Sequence, residues 1–82
     1  MAHVACFDTA FHATLPAAAR TYAVPAAWRA LGVRKFGFHG LSFEAATRSA
    51  AAELGRAEDD VSLVIAHLGS GGSLCAVRNG IS

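Results

Sequence analysis

Residues 61–78, VSLVIAHLGSGGSLCAVR, carry the strongest structural signal in the chain. The segment 61–68 is an apolar run rich in β-branched residues, and 74–78 is a second, shorter apolar run. Between them, 69–73 supplies three glycines and two serines, which are typical of a tight turn. The sequence therefore predicts a β-hairpin with a glycine-rich turn.

The glycine-rich turn has two interpretations. It joins a strand to a strand, whereas a P-loop or a dinucleotide-binding motif joins a strand to a helix. Glycines nevertheless let backbone N–H groups approach phosphate oxygens closely, because no Cβ atom stands in the way. The residues alone favour a plain tight hairpin and leave a phosphate-binding turn open.

Helical and strand-like segments alternate before the hairpin. Ser42 is a suitable N-cap, apolar residues follow at helical spacing, and Gly55 is a suitable stop, so a helix is predicted between them. The other predicted elements are strands at 3–7 and 33–38, a short helix opening near Thr14, and a helix at 25–31. This mixture predicts an α/β protein.

Composition indicates that the chain belongs to a larger body. Hydrophobic residues make up 54% of the 82 residues, but 19 of them are alanine, which buries little area. Charged residues are 16%, below the roughly 25% of an ordinary soluble domain. We therefore expect a single unit with a thin core, whose remaining faces are covered by other segments.

Charge and cysteine content restrict the classes of partner and compartment. The net charge is +1 and neither sign is clustered, which argues against nucleic acid or an anionic membrane as a partner. No apolar run reaches the 18 or so residues of a membrane span, so the expected location is the cytoplasm. Cys6 and Cys75 form no C-x-x-C pair and are interpreted as small apolar fillers in a reducing compartment.

Polar residues at predicted element ends are the candidates for chemistry. Asp8 follows the first predicted strand and is either a capping residue or a base or charge-positioning group. His39, before the long helix, could stabilise phosphoryl charge or bind a loop carbonyl. His12 and His67 are interpreted as partly buried, satisfied histidines. A zinc site drawn from these histidines and Cys75 is disfavoured, since the usual ligand spacing is missing, and no metal site built from protein ligands is expected.

Three segments together resemble a known family. They are FDTAFH at 7–12, FGFHGLS at 36–42 and HLGSGGS at 67–73, and their order and separation are similar to those of the acetate and propionate kinase family. YAVP at 22–25 and AAAELG at 50–55 resemble the family too. The similarity extends over nearly the whole chain.

This resemblance implies a fold and a position within it. Members of the family are much longer and have two lobes of the ribonuclease H-like fold, shared with actin and sugar kinases, with the active site between the lobes. The chain resembles an internal fragment, a partial domain of that fold. By resemblance, 1–12 is the end of the N-terminal lobe and the inter-lobe junction, and 13–82 begins the C-terminal lobe.

The resemblance also implies a reaction, namely reversible phosphorylation of acetate by ATP with Mg²⁺ to give acetyl phosphate. The implied enzyme is a cytoplasmic homodimer at full length, acting on acetate or a similar short-chain carboxylate. Two alternatives stay open: a propionate or other short-chain acyl kinase, and a catalytically inactive remnant with at most nucleotide binding.

Site residues follow from the same resemblance. Asp8 matches the catalytic aspartate, and His39 matches the histidine that stabilises the transition state. The segment that matches the nucleotide-phosphate contact consists of His67, Leu68, Gly69, Ser70 and Gly71. Since a carboxylate substrate is already ionised, we expect Asp8 to position Mg²⁺ or the acyl group more than to remove a proton.

Two positions depart from the family pattern, and other functional residues lie outside the chain. Phe43 stands where a second histidine is usual, which implies the loss of a polar group near the site, and Ser70 stands where Asn or Ala is common. The family's magnesium-linked asparagine, two arginines and a late glutamate are absent from these residues. The isolated chain is therefore expected to have no kinase activity.

Overall fold

The predicted hairpin is present in the computed structural model, which describes residues 1–82. Strand β1 is Ser62–Leu68 and strand β2 is Gly72–Arg78, and they pair antiparallel from Ser62 opposite Arg78 to Leu68 opposite Gly72. They form a two-stranded sheet with no third strand. Burial alternates along both strands, as expected for a hairpin with one covered face.

Three α-helices precede the hairpin: α1 at Ala17–Arg20, α2 at Ala26–Ala30 and α3 at Gly40–Glu53. Single 3₁₀ turns occupy Ala10–His12 and Glu58–Asp60. The two short helices begin directly after Pro16 and Pro25, where a missing N–H group costs no hydrogen bond. Both short helices and the long helix were predicted, and the structure confirms them with shifted ends.

Helix α3 begins three residues earlier than its sequence predicts. His39 is the N-cap and has a left-handed backbone, with φ of 55°, so the chain turns sharply before entering the helix. The prediction of Ser42 as N-cap is therefore wrong. The other end agrees: Leu54 caps the helix and Gly55 follows with φ of 63°, a conformation that glycine adopts without steric penalty.

The core lies between α3 and the inner face of the hairpin. Phe43 contacts Cys75 and Val77, and Phe11, Leu63 and Ile65 pack around this cluster. Only 8 of the 82 residues are buried, which confirms the thin core expected from composition. The chain places few large side chains out of water, so its stability depends on this small cluster.

The strands predicted at 3–7 and 33–38 are wrong, since both segments are irregular. A strand needs a neighbour to receive its backbone hydrogen bonds, and neither segment pairs with β1, β2 or the other segment. Their apolar side chains are largely exposed, including Val4, Phe7 and Phe38. The apolar pattern is that of a strand, but this chain contains no partner for it.

The outer face of the hairpin is apolar and uncovered. Val64, Leu68 and Leu74 are each at least three-quarters exposed, at 80%, 86% and 76%. The side chains of the inner face are half-buried or buried instead. This exposure agrees with the expectation that other segments cover the chain. No helix has the length and apolar character that a membrane crossing requires.

The two cysteines differ in environment. Cys75 is buried in the core and burial raises the pKa of its thiol, an effect that the charge of Lys35 partly offsets. Cys6 is exposed, so the interpretation as an apolar filler is confirmed for Cys75 and wrong for Cys6. Because the thiolate is the reactive form, the two residues should react at different rates.

We predict that iodoacetamide at pH 8 modifies Cys6 well before Cys75. The exposed thiol is accessible to the reagent, whereas the buried thiol is shielded and burial raises its pKa. Mass mapping of peptides over a time course measures both rates. In a denaturing concentration of urea the rates should converge, and equal rates under native conditions would contradict the burial of Cys75.

Candidate active site

The candidate residues meet where three segments of the chain converge. Asp8 ends the irregular N-terminal segment, His39 precedes α3, and His67 lies on the inner face of β1 one residue before its end. The rings of His39 and His67 are stacked, with centroids 4.1 Å apart and an angle of 15° between planes. The structure therefore brings together residues that are far apart in sequence.

Asp8 caps α3 with both its side chain and its backbone. Its Oδ2 accepts the backbone N–H of His39 at 2.6 Å, and Oδ1 accepts that of Leu41 at 3.4 Å. Its carbonyl oxygen accepts the N–H of Gly40 at 2.9 Å. The capping interpretation of Asp8 is confirmed, and the negative charge lies at the positive end of the helix dipole. A carboxylate has about four acceptor positions, so a further contact remains available.

Gly40 is required by this close contact. A Cβ atom at position 40 would overlap the carbonyl oxygen of Asp8 and approach the Phe11 side chain to 3.2 Å. Any larger residue would push the N-terminal segment away from the helix. The His39–Gly40 pair therefore has a structural role. His39 turns the chain, and Gly40 leaves room for the backbone of Asp8.

Each stacked histidine is held at Nδ1 by a serine from the opposite element. His39 Nδ1 lies 2.7 Å from the hydroxyl oxygen of Ser73 on β2, and His67 Nδ1 lies 2.8 Å from that of Ser42 on α3. His67 and Ser73 are also direct neighbours across the hairpin. The Nε2 atoms of both rings have no hydrogen-bond partner in the chain, so both are available to a ligand.

The glycine-rich turn runs beside the two rings. A Cβ atom on Gly69 would lie 3.2 Å from His67 Nε2, and one on Gly71 would lie 3.6 Å from His39 Cε1. Neither glycine has a left-handed backbone, so these positions favour glycine for space and not for φ. The N–H of Gly69 bonds to the carbonyl of Gly71, whereas the N–H groups of Ser70 and Gly71 have no acceptor. The turn thus carries two free donors, and its glycines lie beside the two histidine rings.

The remaining members of the predicted phosphate segment are less enclosed. Ser70 is exposed at the tip of the turn, and the Leu68 side chain points to the uncovered outer face of the hairpin. The Ser70 hydroxyl makes no hydrogen bond to either histidine. Ser70 and Leu68 are consequently expected to contribute to phosphate binding through their backbone and not through their side chains.

Metal-binding side chains are sparse in this region. No group of three His, Cys, Asp or Glu residues lies close enough to hold one ion. The carboxylate of Asp8 accepts a hydrogen bond from the backbone N–H of His39. The arginine hydrogen bonds go to Val24, Glu44, Glu58 and Asp60, so no arginine is bonded to the site.

His12 lies apart from the pair and is structural. It is 7% exposed, its Nε2 bonds to the carbonyl of Phe38 at 3.0 Å and its Nδ1 to the hydroxyl of Ser82 at 3.0 Å. Gly37 must be small because a Cβ there would collide with the His12 ring. The interpretation of His12 as a satisfied histidine is confirmed, whereas for His67 it misses the unpartnered Nε2.

Comparison with known proteins identifies the family. The model of the acetokinase family matches residues 1–82. The chain belongs to the acetokinase family. It is 46% identical over 79 residues to the acetate kinase of Synechocystis, covering 96% of this chain and 19% of the relative. It is 54% identical over 80 residues to the propionate kinase of Klebsiella pneumoniae, covering 96% of this chain and 20% of the relative.

The likeness extends to three-dimensional structure. The crystal structure of Porphyromonas gingivalis acetate kinase superposes with a TM-score of 0.85 and 39% identity, over 92% of this chain and 19% of that one. The predicted fold class, a partial α/β domain of the ribonuclease H-like type, is confirmed. The chain spans about a fifth of the length of these acetokinase relatives.

Phe43 has a packing role in this acetokinase segment. It is 1% exposed and its ring lies edge-on to His12, with centroids 5.7 Å apart, in the cluster that contains Cys75. The sequence implied that Phe43 removes a polar group from the site. The structure instead places the Phe43 ring in an aromatic contact within the core. The usual histidine would need a hydrogen-bond partner at this buried position.

Sequence reasoning missed Ser42 and Ser73 as site residues. Ser42 was assigned to capping the helix, and Ser73 to the turn, whereas their hydroxyls contact His67 and His39. Both serines lie inside the segments that carry the family resemblance. That placement is the signal that could have drawn attention to them.

We predict that Asp8→Ala lowers the free energy of unfolding by about 1 kcal/mol, because α3 loses the acceptor at its amino end. Asp8→Asn should have a smaller effect, since one side-chain oxygen remains. Urea denaturation followed by circular dichroism measures both. Asp59→Ala is the matched control, because this exposed carboxylate makes no hydrogen bond. Equal unfolding curves for the Asp8→Ala and Asp59→Ala variants would refute the capping role.

Proposed function

We propose that this acetokinase segment is part of an acetate kinase, which transfers the γ-phosphoryl group of ATP reversibly to acetate. The observation that supports the proposal is the stacked His39–His67 pair, with both Nε2 atoms unpartnered, between Asp8 and the glycine-rich turn. Family membership and the named acetate kinases among its relatives support the reaction class.

The proposed roles follow from the demands of phosphoryl transfer. Such a reaction needs the attacking and leaving oxygens to be aligned with the phosphorus atom. It also needs hydrogen-bond donors that stabilise the negative charge on the transferring group. In our proposal His39 Nε2 donates a hydrogen bond to an oxygen of that group, and donors at a fixed position act without reorganisation. The segment His67, Leu68, Gly69, Ser70 and Gly71 contacts the nucleotide phosphates, with the free N–H groups of Ser70 and Gly71 as donors.

Asp8 is proposed to position Mg²⁺ or the acyl group. Acetate is already ionised at neutral pH, so the transfer to it requires no base. When bound, Mg²⁺ neutralises charge on the phosphate oxygens. The single carboxylate of Asp8 fits an ion that keeps several waters and takes other ligands from phosphates, as Mg²⁺ does in ATP-dependent sites.

The position in a longer enzyme is also part of the proposal. Residues 1–12 would end the N-terminal lobe and cross the junction, and 13–82 would begin the C-terminal lobe. The irregular apolar segments and the uncovered hairpin face support a surrounding body, since they leave Val4, Phe38 and Leu74 exposed. The complete enzyme is proposed to be a homodimer that uses cytoplasmic ATP.

Propionate is the second candidate substrate. Propionate kinases of Klebsiella pneumoniae and Escherichia coli are 54% and 51% identical to the chain, and the acetate kinases of Deinococcus radiodurans and Synechocystis are 52% and 46% identical. The two acids differ by one methylene, which changes binding by about 1–3 kcal/mol in an apolar pocket. Comparing kcat/KM for acetate, propionate and butyrate in a complete enzyme decides between these candidates.

We predict that a chimera forms acetyl phosphate when residues 1–82 replace the matching segment of the Deinococcus radiodurans acetate kinase. That enzyme is 52% identical over 81 residues, so most contacts to the host are retained. His39→Ala should lower kcat about a hundredfold, because a donor to the transferring group is lost. Trapping acetyl phosphate as its hydroxamate measures the rate.

His3→Ala is the matched control for the chimera, because His3 is exposed and makes no hydrogen bond. A folded chimera that forms no acyl phosphate would overturn the proposed function. Equal activity of the His3→Ala and His39→Ala variants would overturn the role of His39. The propionate kinase of Klebsiella pneumoniae serves as a second host if the first chimera does not fold.

We predict that the 82-residue chain alone forms no acetyl phosphate. None of its arginines is bonded to the site, so charge on a transferring phosphoryl group would lack cationic partners. The same hydroxamate assay at high protein concentration measures this. ATP-dependent product that disappears with Asp8→Ala would show that the chain is sufficient for catalysis and would contradict the prediction.

A further inference from the structure

We propose that Ser73 and Ser42 are positioning residues for phosphoryl transfer. Each serine hydroxyl donates to Nδ1 of one stacked histidine, and so keeps the ring proton on Nε2, where it can be donated to a phosphate oxygen. This inference rests on the proposed function of the His39–His67 pair. It assigns a role to two residues that lie beside the pair and not at the reacting atoms.

The hydrogen bonds cross between the two elements. Ser42 belongs to α3, yet its hydroxyl lies 2.8 Å from the ring of His67 on β1. Ser73 belongs to β2, yet its hydroxyl lies 2.7 Å from the ring of His39 at the start of α3. Helix and hairpin thus each supply one histidine and one serine. The crossing holds the amino end of α3 against the turn end of the hairpin.

The hydroxyl protons of the two serines favour one tautomer of each ring. A serine hydroxyl carries one proton, and neither Ser42 nor Ser73 has another acceptor for it in the chain. If that proton goes to Nδ1, the neutral imidazole carries its own proton on Nε2. Both Nε2 atoms then become donors, and both lie along the glycine-rich turn. A ring without its serine would populate both tautomers.

The stacked arrangement makes ring orientation matter. The two planes are 15° from parallel and their centroids are 4.1 Å apart, so each ring limits the rotation of the other. Rotation of either imidazole by half a turn would exchange Nδ1 with a carbon atom, break the hydrogen bond to its serine and exchange Nε2 with Cε1. The two serines therefore select one of two ring orientations that have nearly the same shape.

The test uses the chimera with residues 1–82 in the Deinococcus radiodurans enzyme. Ser73→Ala should lower kcat about tenfold and leave KM for ATP within about twofold, the size of effect typical of an outer-shell partner. Ser73→Thr, which keeps the hydroxyl, should recover most of the loss. Ser42→Ala and Ser42→Thr form the second pair. Ser49→Ala is the matched control, since Ser49 lies exposed on the same helix without a hydrogen bond.

A spectroscopic readout separates positioning from general stability. Nitrogen-15 chemical shifts of the ring atoms report the tautomer of each histidine. Ser73→Ala should move His39 to a mixture of tautomers and leave His67 unchanged, and Ser42→Ala should do the converse. A substitution that merely weakens the fold would not change the tautomer of one histidine alone. Its loss of activity would also not be restored by the serine-to-threonine variant.

The outcomes distinguish this inference from the proposed function. If His39→Ala removes activity but Ser73→Ala leaves both kcat and the ring shifts unchanged, the positioning role is overturned and the proposed function stands. If His39→Ala leaves activity intact, the proposed role of His39 fails and the positioning role of Ser73 fails with it, whereas a folded chimera without activity overturns the proposed function itself. Loss of kcat in Ser73→Ala without a tautomer change at His39, or without recovery by threonine, also overturns the positioning role. The Klebsiella pneumoniae host provides the same test if the first chimera does not fold.

Discussion

The contact between Asp8 and the amino end of α3 is the constraint on which the arrangement depends. One residue satisfies the N–H groups of His39, Gly40 and Leu41, which a helix cannot satisfy by itself. The contact requires glycine at position 40, because no side chain fits against the Asp8 carbonyl. The left-handed backbone of His39 then directs its imidazole toward the hairpin, where it meets His67. Asp8, which caps the amino end of α3, thereby also fixes the distance between the N-terminal segment and the histidine pair.

The site lies on a boundary between packed and open regions. Below the histidine pair is the small core of Phe43, Cys75 and Val77, and beside it is the turn with its free N–H groups. The pair is half-buried, so its rings are held by protein contacts and still accessible at their Nε2 edges. Rigid support on one side and open donors on the other is the arrangement that charge stabilisation requires.

Local patterns in the sequence predicted the elements that are stabilised by nearby residues. The strands of the hairpin are separated by three residues, and Gly55 follows the α3 cap residue Leu54, so both features were predictable from the sequence. The start of α3 was not, because its cap is Asp8, which is 31 residues from His39. The strands predicted at 3–7 and 33–38 failed for a related reason: their apolar alternation describes how they would pack, but this chain lacks the strands that would pair with them. At the site, the family resemblance selected Asp8, His39 and the turn, whereas Ser42 and Ser73 depend on contacts across the fold that spacing does not show.

The uncovered hairpin has a consequence for how the isolated chain behaves in solution. Two strands leave two outer edges, and only a single bridge between Arg78 and Ile81 continues the pairing beyond them. Valine, alanine and leucine dominate the outer face, and Arg78 is the only charged side chain on either strand. Natural sheets protect such edges with charge, proline or a covering segment, because an open edge recruits further strands. The open hairpin is therefore a template for edge-to-edge pairing, and the larger body that we propose would also cover these edges.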